Sequence, residues 1–95
     1  MVVGVLRLEL QFYDPGSLKA KRSLVQRLLA RCRNRFPVSA AETGLHDLWQ
    51  RAELGFTMVS GDRRLIERVF AEIEAEIDSD GQAQIGERLV EIFQY

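Results

Sequence analysis

Basic side chains are concentrated between residues 17 and 36, and their type and spacing point to one chemistry, the binding of phosphate groups. No Asp or Glu lies in this stretch, although the whole chain has a formal net charge of −1. A segregated positive surface attracts phosphate backbones, and such binding weakens as the salt concentration rises. The residues predicted to contact a nucleic acid are Lys19, Lys21, Arg22, Arg27, Arg31 and Arg33.

The same stretch predicts one amphipathic helix. Apolar residues recur at spacings of three and four between Leu18 and Phe36, which is typical of a helix with one side against a core. Ser17 is placed to cap its start, and Pro37 ends it. The cations surround the rest of the helix, and Lys21 falls beside the apolar stripe, so its ammonium must snorkel or lie at an interface. This distribution favours a broadly positive side over a focused groove, and a merely solvated face remains the alternative.

Other reactive side chains are too few or too isolated to predict catalysis or a metal site. His46 and Asp47, with Glu42 nearby, resemble part of a metal site or an acid–base pair, but the chain has one His and one Cys, too few nitrogen and sulfur ligands for zinc. A hydrogen-bonded loop is the better interpretation. Cys32 lies in the apolar stripe and is expected to be buried. We therefore expect no catalytic residue, no metal and no cofactor.

Trp49 is the candidate for contact with a protein partner. It lies in a connection between two predicted strands, where it either anchors a partner or covers the end of the sheet. The sequence alone leaves both interpretations open.

Hydrophobic periodicity predicts four strands and two helices in the order βαββαβ. Residues Val2 to Phe12 alternate with a period of two, and the second helix, Arg63 to Asp80, begins after the turn and N-cap in Ser60-Gly61-Asp62. The remaining strands are expected at 38–43, as a short edge strand, at 52–60, and at 82–95. In the last of these the alternation breaks around Gly86-Glu87-Arg88, which either a bulge or the burial of both faces near the end would explain.

These elements predict an α+β fold, a ferredoxin-like two-layer sandwich in which one antiparallel sheet carries both helices on one face. Residues 1–95 are expected to form this single domain, with the same elements paired across a dimer as the alternative. The outward positions of the first and third strands hold no aromatic residue, so the sheet lacks the base-stacking platform of an RNA recognition motif. The second helix is acidic, with three Arg against six Asp and Glu in Arg63 to Asp80.

Three blocks in order, SLKAKRS, FPVSAAE and DLWQRAELGFTMVS, resemble the YlxP-like family of small bacterial proteins over nearly the whole chain. The resemblance implies a ferredoxin-like fold. It also implies an association with ribosomal or other RNA, because genes of this family often lie beside genes for translation initiation and ribosome maturation. One departure is Ala20, where family members commonly carry Glu. A capping-box partner for Ser17 is therefore missing, and the local charge is more positive.

The predicted function is that of a non-enzymatic, RNA-associated accessory protein of translation or ribosome assembly. A single Cys and the absence of a signal-peptide or membrane-span pattern at the N-terminus favour the cytoplasm. The alternative is a homo-oligomeric or protein-binding module, in which the last strand and the Trp49 connection make the interface and the opposite charges of the two helices assist pairing.

Overall fold

The computed structural model describes residues 1–95 and has the predicted order of elements. They are β1 (Val2–Phe12), α1 (Leu18–Arg35), β2 (Ser39–Gly44), β3 (Arg51–Ser60), α2 (Arg63–Asp80) and β4 (Ala83–Gln94). The strands form one antiparallel sheet in the order β2-β3-β1-β4. The prediction of a ferredoxin-like α+β fold is confirmed.

The central strand β1 organises the core. Its even-numbered residues from Leu6 to Phe12 are at most 1% exposed, as the period-two pattern predicts, and β1 pairs with β3 on one side and β4 on the other. The inward residues of the sheet and the buried residues of both helices form a single hydrophobic cluster of 20 residues. Both helices therefore cover the same face of the sheet.

Helix α1 begins and ends within one residue of its predicted limits. The Ser17 hydroxyl accepts a hydrogen bond from the Ala20 amide at 3.0 Å, which satisfies one of the unpaired amides of the first turn. Phe36 ends the helix in an extended conformation, and its amide donates to the Cys32 carbonyl. Pro37 follows directly.

Helix α2 lies close against the sheet because β1 has no side chain at Gly4. A Cβ atom there would lie 2.4 Å from Cγ2 of Ile66, too close to be accommodated without a shift of the helix or the strand. Asp62 caps the start of α2 by accepting from the Arg64 amide at 2.9 Å. Gly81 ends the helix in the left-handed conformation, with φ of 76°, which glycine adopts at little cost.

The outer strands β2 and β4 differ from their predicted bounds by one residue at each end. β2 starts at Ser39, because the Val38 amide donates to the Phe36 carbonyl instead of joining the sheet. The predicted bulge in β4 is confirmed, since Leu8 pairs with Arg88 while Leu10 pairs with Ile85. Of the two helices, neither has a stretch both long and apolar enough to cross a bilayer.

Candidate nucleic-acid interface

The cations of α1 separate into three groups with different surroundings. We call Arg27, Arg31 and Arg35 the paired side, because all three bind carboxylates of α2. Lys21 forms a group of its own, because it is buried. We call Lys19, Arg22 and Arg33 the basic strip, because they are exposed and take part in no ion pair within 4.0 Å.

The paired side forms a ladder between the two helices. Arg27 binds Asp80 at 2.7 Å, and Arg31 binds both Asp80 at 2.6 Å and Glu76 at 2.9 Å. Arg35 completes the ladder on the second oxygen of Glu76. The Glu76 and Asp80 side chains are only 12% and 7% exposed, so these carboxylates are committed to the helix interface and offset the arginine charges there.

Lys21 is fully buried, with 0% of its surface exposed. Its Nζ donates to Oε2 of Glu42 at 3.0 Å and also lies within hydrogen-bond distance of three carbonyl oxygens. These belong to Leu45 at 3.2 Å, His46 at 3.3 Å and Arg51 at 3.2 Å. The prediction that Lys21 contacts a nucleic acid is therefore corrected, because its charge is used to hold the β2–β3 connection and does not reach solvent.

The basic strip runs along the side of α1 that faces β2. At about 100° per residue, Lys19, Arg22 and Arg33 lie within about 60° of one another around the helix. Arg33 donates to the Ala40 carbonyl of the edge strand, which places the strip beside β2 and uses no carboxylate. The uncompensated positive surface is thus narrower than the sequence predicts.

Sequence reasoning missed the separation because it treated the charges of each helix on their own. The signal was present: Arg27, Arg31 and Arg35 are spaced by four, as are Glu76 and Asp80, so each set follows one line along its helix. Two such lines pair when the helices pack side by side. Only the tertiary arrangement shows which cations they neutralise.

Trp49 lies on the β2–β3 connection and is 44% exposed. The neighbouring Leu48 is 42% exposed, and its amide donates to the Leu45 carbonyl at 3.1 Å. Because the buried Lys21 ammonium binds the carbonyl oxygens of Leu45 and His46 before Trp49 and of Arg51 after it, Lys21 fixes both ends of the segment that carries Trp49. The assignment of Trp49 to a partner contact stays a prediction.

His46 and Glu42 do not converge on a common site. The Nε2 atom of His46 lies 3.2 Å from the backbone oxygen of Glu42, while the Glu42 carboxylate binds Lys21. No group of three or more His, Cys, Asp or Glu side chains is arranged to hold a metal ion.

Cys32 is buried beneath the paired side. Burial is the main reason that its pKa is raised from 9.0 to about 11, and the charge of Glu76 raises it further, against the opposing effect of Arg31 and Arg35. The thiolate is therefore disfavoured at neutral pH, and this side chain behaves as a small apolar residue.

Comparison with known proteins gives a sequence relative at 41% identity and distant structural relatives. The chain is 41% identical to "Uncharacterized protein YlxP" of Bacillus subtilis (strain 168) over 78 residues, which are 82% of this chain and 85% of the relative. This identity confirms the predicted resemblance to the YlxP-like family.

Solved structures share the fold at low sequence identity. The structural genomics protein YJCS is similar with a TM-score of 0.64 at 6% identity, over 94% of this chain and 96% of that one. A mutant form of SnoaB, a cofactor-independent oxygenase from Streptomyces nogalater, gives 0.54 at 10%, over 99% and 92%. The de novo designed protein Foldit4 gives 0.52 at 21%, over 99% and 97%. Identities this low carry the fold and no activity.

A family model described as "Protein of unknown function (DUF503)" matches residues 3–88, which is most of the chain. This match and the identity to YlxP lead to the same assignment. The chain belongs to the DUF503 family.

Proposed function

We propose that this protein is a non-enzymatic, RNA-associated accessory protein of translation or ribosome assembly that acts in the cytoplasm and holds RNA by its phosphate backbone. The observation that carries the proposal is the basic strip: Lys19, Arg22 and Arg33 are exposed on one side of α1 and have no carboxylate partner. The same class of partner is implied by the resemblance to the YlxP-like family, whose genes often lie beside genes for translation initiation and ribosome maturation.

The chemistry of the strip favours shape and charge over sequence readout. Guanidinium and ammonium groups bind phosphate oxygens, and such contacts position an RNA without reading its bases. Arg22 and Arg33 are separated by about 16 Å along the helix, at about 1.5 Å per residue, so they meet different phosphates of a folded RNA. With about three phosphates neutralised, the logarithm of the binding constant should fall with the logarithm of salt concentration at a slope of about −2 to −3.

Co-sedimentation with ribosomal subunits across a salt series tests this proposal. The variant K19Q/R22Q/R33Q removes the basic strip and should abolish binding at low salt. The matched control R27Q/R31Q/R35Q removes the same number of positive charges from the same helix, but from the paired side, and should bind as the wild type does.

Two outcomes would contradict the proposal. One is no binding of the wild type to subunits at low salt. The other is an equal loss of binding in both triple variants, which would show that the net charge of the chain, and not the strip, governs the interaction.

A further inference from the structure

The outer face of the sheet, which the helices do not cover, is apolar over about half its length. Register places Val59, Val3 and Phe93 side by side on β3, β1 and β4. Val59 is 58% exposed and Phe93 41% exposed, although both are large apolar residues. An uncovered face of an antiparallel sheet is normally polar, so this half of the face has the composition of a contact surface.

A hollow lies next to this apolar area, between β2 and β3. Its volume is about 300 Å³, and the residues around it are uncharged and mostly small. Gly55 contributes no side chain to the hollow, and the methyl group of Thr43 lies beside it, 2.9 Å from the position that a Cβ atom would take. The principal lining residues are Val5, Ser39, Ala41, Thr43, Gly55 and Thr57.

An exposed apolar side chain, Leu89, lies on the opposite edge of the same face. Leu89 on β4 is 39% exposed. In the register of the sheet, the residues beside it in order are Arg7 on β1, Gly55 on β3 and Ala41 on β2. Leu89 and the hollow therefore lie in one row across the sheet. They are on opposite sides of its midline, because the strand order is β2-β3-β1-β4.

We infer that this face is the interface of a homodimer in which two sheets pack face to face and Leu89 of each copy enters the hollow at Gly55 of the other. A twofold axis along the strand direction, midway between the sheets, brings β4 of one copy opposite β2 of the other and keeps the row in line. One chain then supplies both the protruding side chain and the depression, which is the self-complementarity that a twofold interface requires.

The size of the face agrees with this occupant. The molecule extends 42 × 21 × 19 Å, and a strand of twelve residues spans about 40 Å, so the strands follow the long axis. The four strands have 11, 6, 10 and 12 residues, so at about 3.3 Å per residue and about 4.8 Å between strands the face covers roughly 600 Å². This matches the lower end of the range for stable interfaces, about 600 Å² per partner.

The charges on this face favour a second copy over a polyanion. Arg7 lies 3.8 Å from Glu53, and Arg51 lies 2.9 Å from Glu9, so the cations of the central strands already have partners. Glu91 adds a negative charge beside the apolar area. This surface is distinct from the basic strip, and the inference does not depend on RNA binding.

Light scattering and sedimentation velocity on the full chain test the dimer. The wild type should have twice the monomer mass of 10.9 kDa, and L89D should have the monomer mass. The matched control is L48D, because Leu48, at 42%, is about as exposed as Leu89, at 39%, but lies on the β2–β3 connection. L48D should remain a dimer.

A second variant tests the same interface in case L89D fails to fold. A41E fills the hollow from the other side of the interface and should also give a monomer, with the circular dichroism spectrum of the wild type. A monomeric wild type, or equal dissociation by L89D and L48D, would overturn the inference. If the wild type is itself a monomer and L89D no longer binds ribosomal subunits, this face of the sheet would be assigned to RNA binding instead.

Discussion

The two sides of α1 carry three cations each, but the surroundings of those cations differ. Arg27, Arg31 and Arg35 bind Glu76 and Asp80 across the helix interface. On the β2 side, Lys19, Arg22 and Arg33 have no such partners. Only uncompensated charges attract a polyanion. The charge that a basic helix presents to a partner therefore depends on the carboxylates of the element packed beside it.

Lys21 marks the boundary between these sides, and its replacement should have the largest effect. K21M keeps most of the apolar stem but removes the ammonium, so Glu42 and the carbonyl oxygens of His46 and Arg51 lose this donor. The Leu45 carbonyl keeps the Leu48 amide. Breaking a buried ion pair by removing one partner costs about 3–5 kcal/mol. We expect a loss of that size in the free energy of unfolding, measured by urea denaturation. The control E42Q should lose less, because the ammonium keeps its three carbonyl contacts.

The buried thiol of Cys32, beneath the paired side, should make the free energy of unfolding depend on pH. Its pKa is about 11 in the fold against 9.0 for an ordinary thiol, so the folded state keeps its proton where the unfolded state has lost it. The contribution to stability is therefore complete below pH 9 and is lost as the pH rises through 11. A shift of this size corresponds to about 2–3 kcal/mol. We expect the stability difference between wild type and C32A to shrink over this range, and a constant difference would contradict the assignment.

The paired side can be converted to an open one by removing its acids. E76Q/D80N should lower the free energy of unfolding by about 1–2 kcal/mol, because three partly exposed arginines lose carboxylates that are nearly buried. The same variant should bind ribosomal subunits more tightly and with a steeper salt dependence, since three cations become available. E67Q is the control, because it removes an acid that pairs only with Arg63 on α2 itself. Unchanged binding in E76Q/D80N would mean that charge compensation does not separate the two sides.

The smallest effect on stability is expected on the basic strip. K19Q/R22Q/R33Q should change the free energy of unfolding by no more than about 0.5 kcal/mol, because these side chains are exposed and take part in no ion pair. The hydrogen bond from Arg33 to the Ala40 carbonyl is also exposed. R27Q/R31Q/R35Q, measured in the same denaturation series, should lose about 1–2 kcal/mol. Equal losses in the two triple variants would remove the distinction between the sides.

Local features of the fold were predictable because they depend on neighbouring residues. The Ser17 cap, the alternation of β1 and the bulge near Gly86 each follow from a short stretch of sequence, and the structure confirms them. Lys21 could be recognised only as a residue beside the apolar stripe. Its burial depends on four acceptors that lie 21 to 30 residues away in the chain.

The candidate site was predictable in its location and not in its extent. The sequence indicates α1 as the basic element, but the neutralisation of Arg27 and Arg31 depends on how α1 lies against α2. Helix contacts of this kind follow from tertiary packing. The candidate site is therefore limited to the cations on the β2 side of α1, because those on the other side are neutralised by α2.

The burial of Lys21 has a practical consequence for covalent chemistry. The chain contains two lysines, Lys19 and Lys21, and only the first has a side chain open to solvent. An amine-reactive cross-linker or acylating reagent applied to the native protein therefore modifies one lysine side chain, the one at the start of the basic strip. Any macromolecule that becomes cross-linked through Lys19 therefore lies within one cross-linker length of the basic strip.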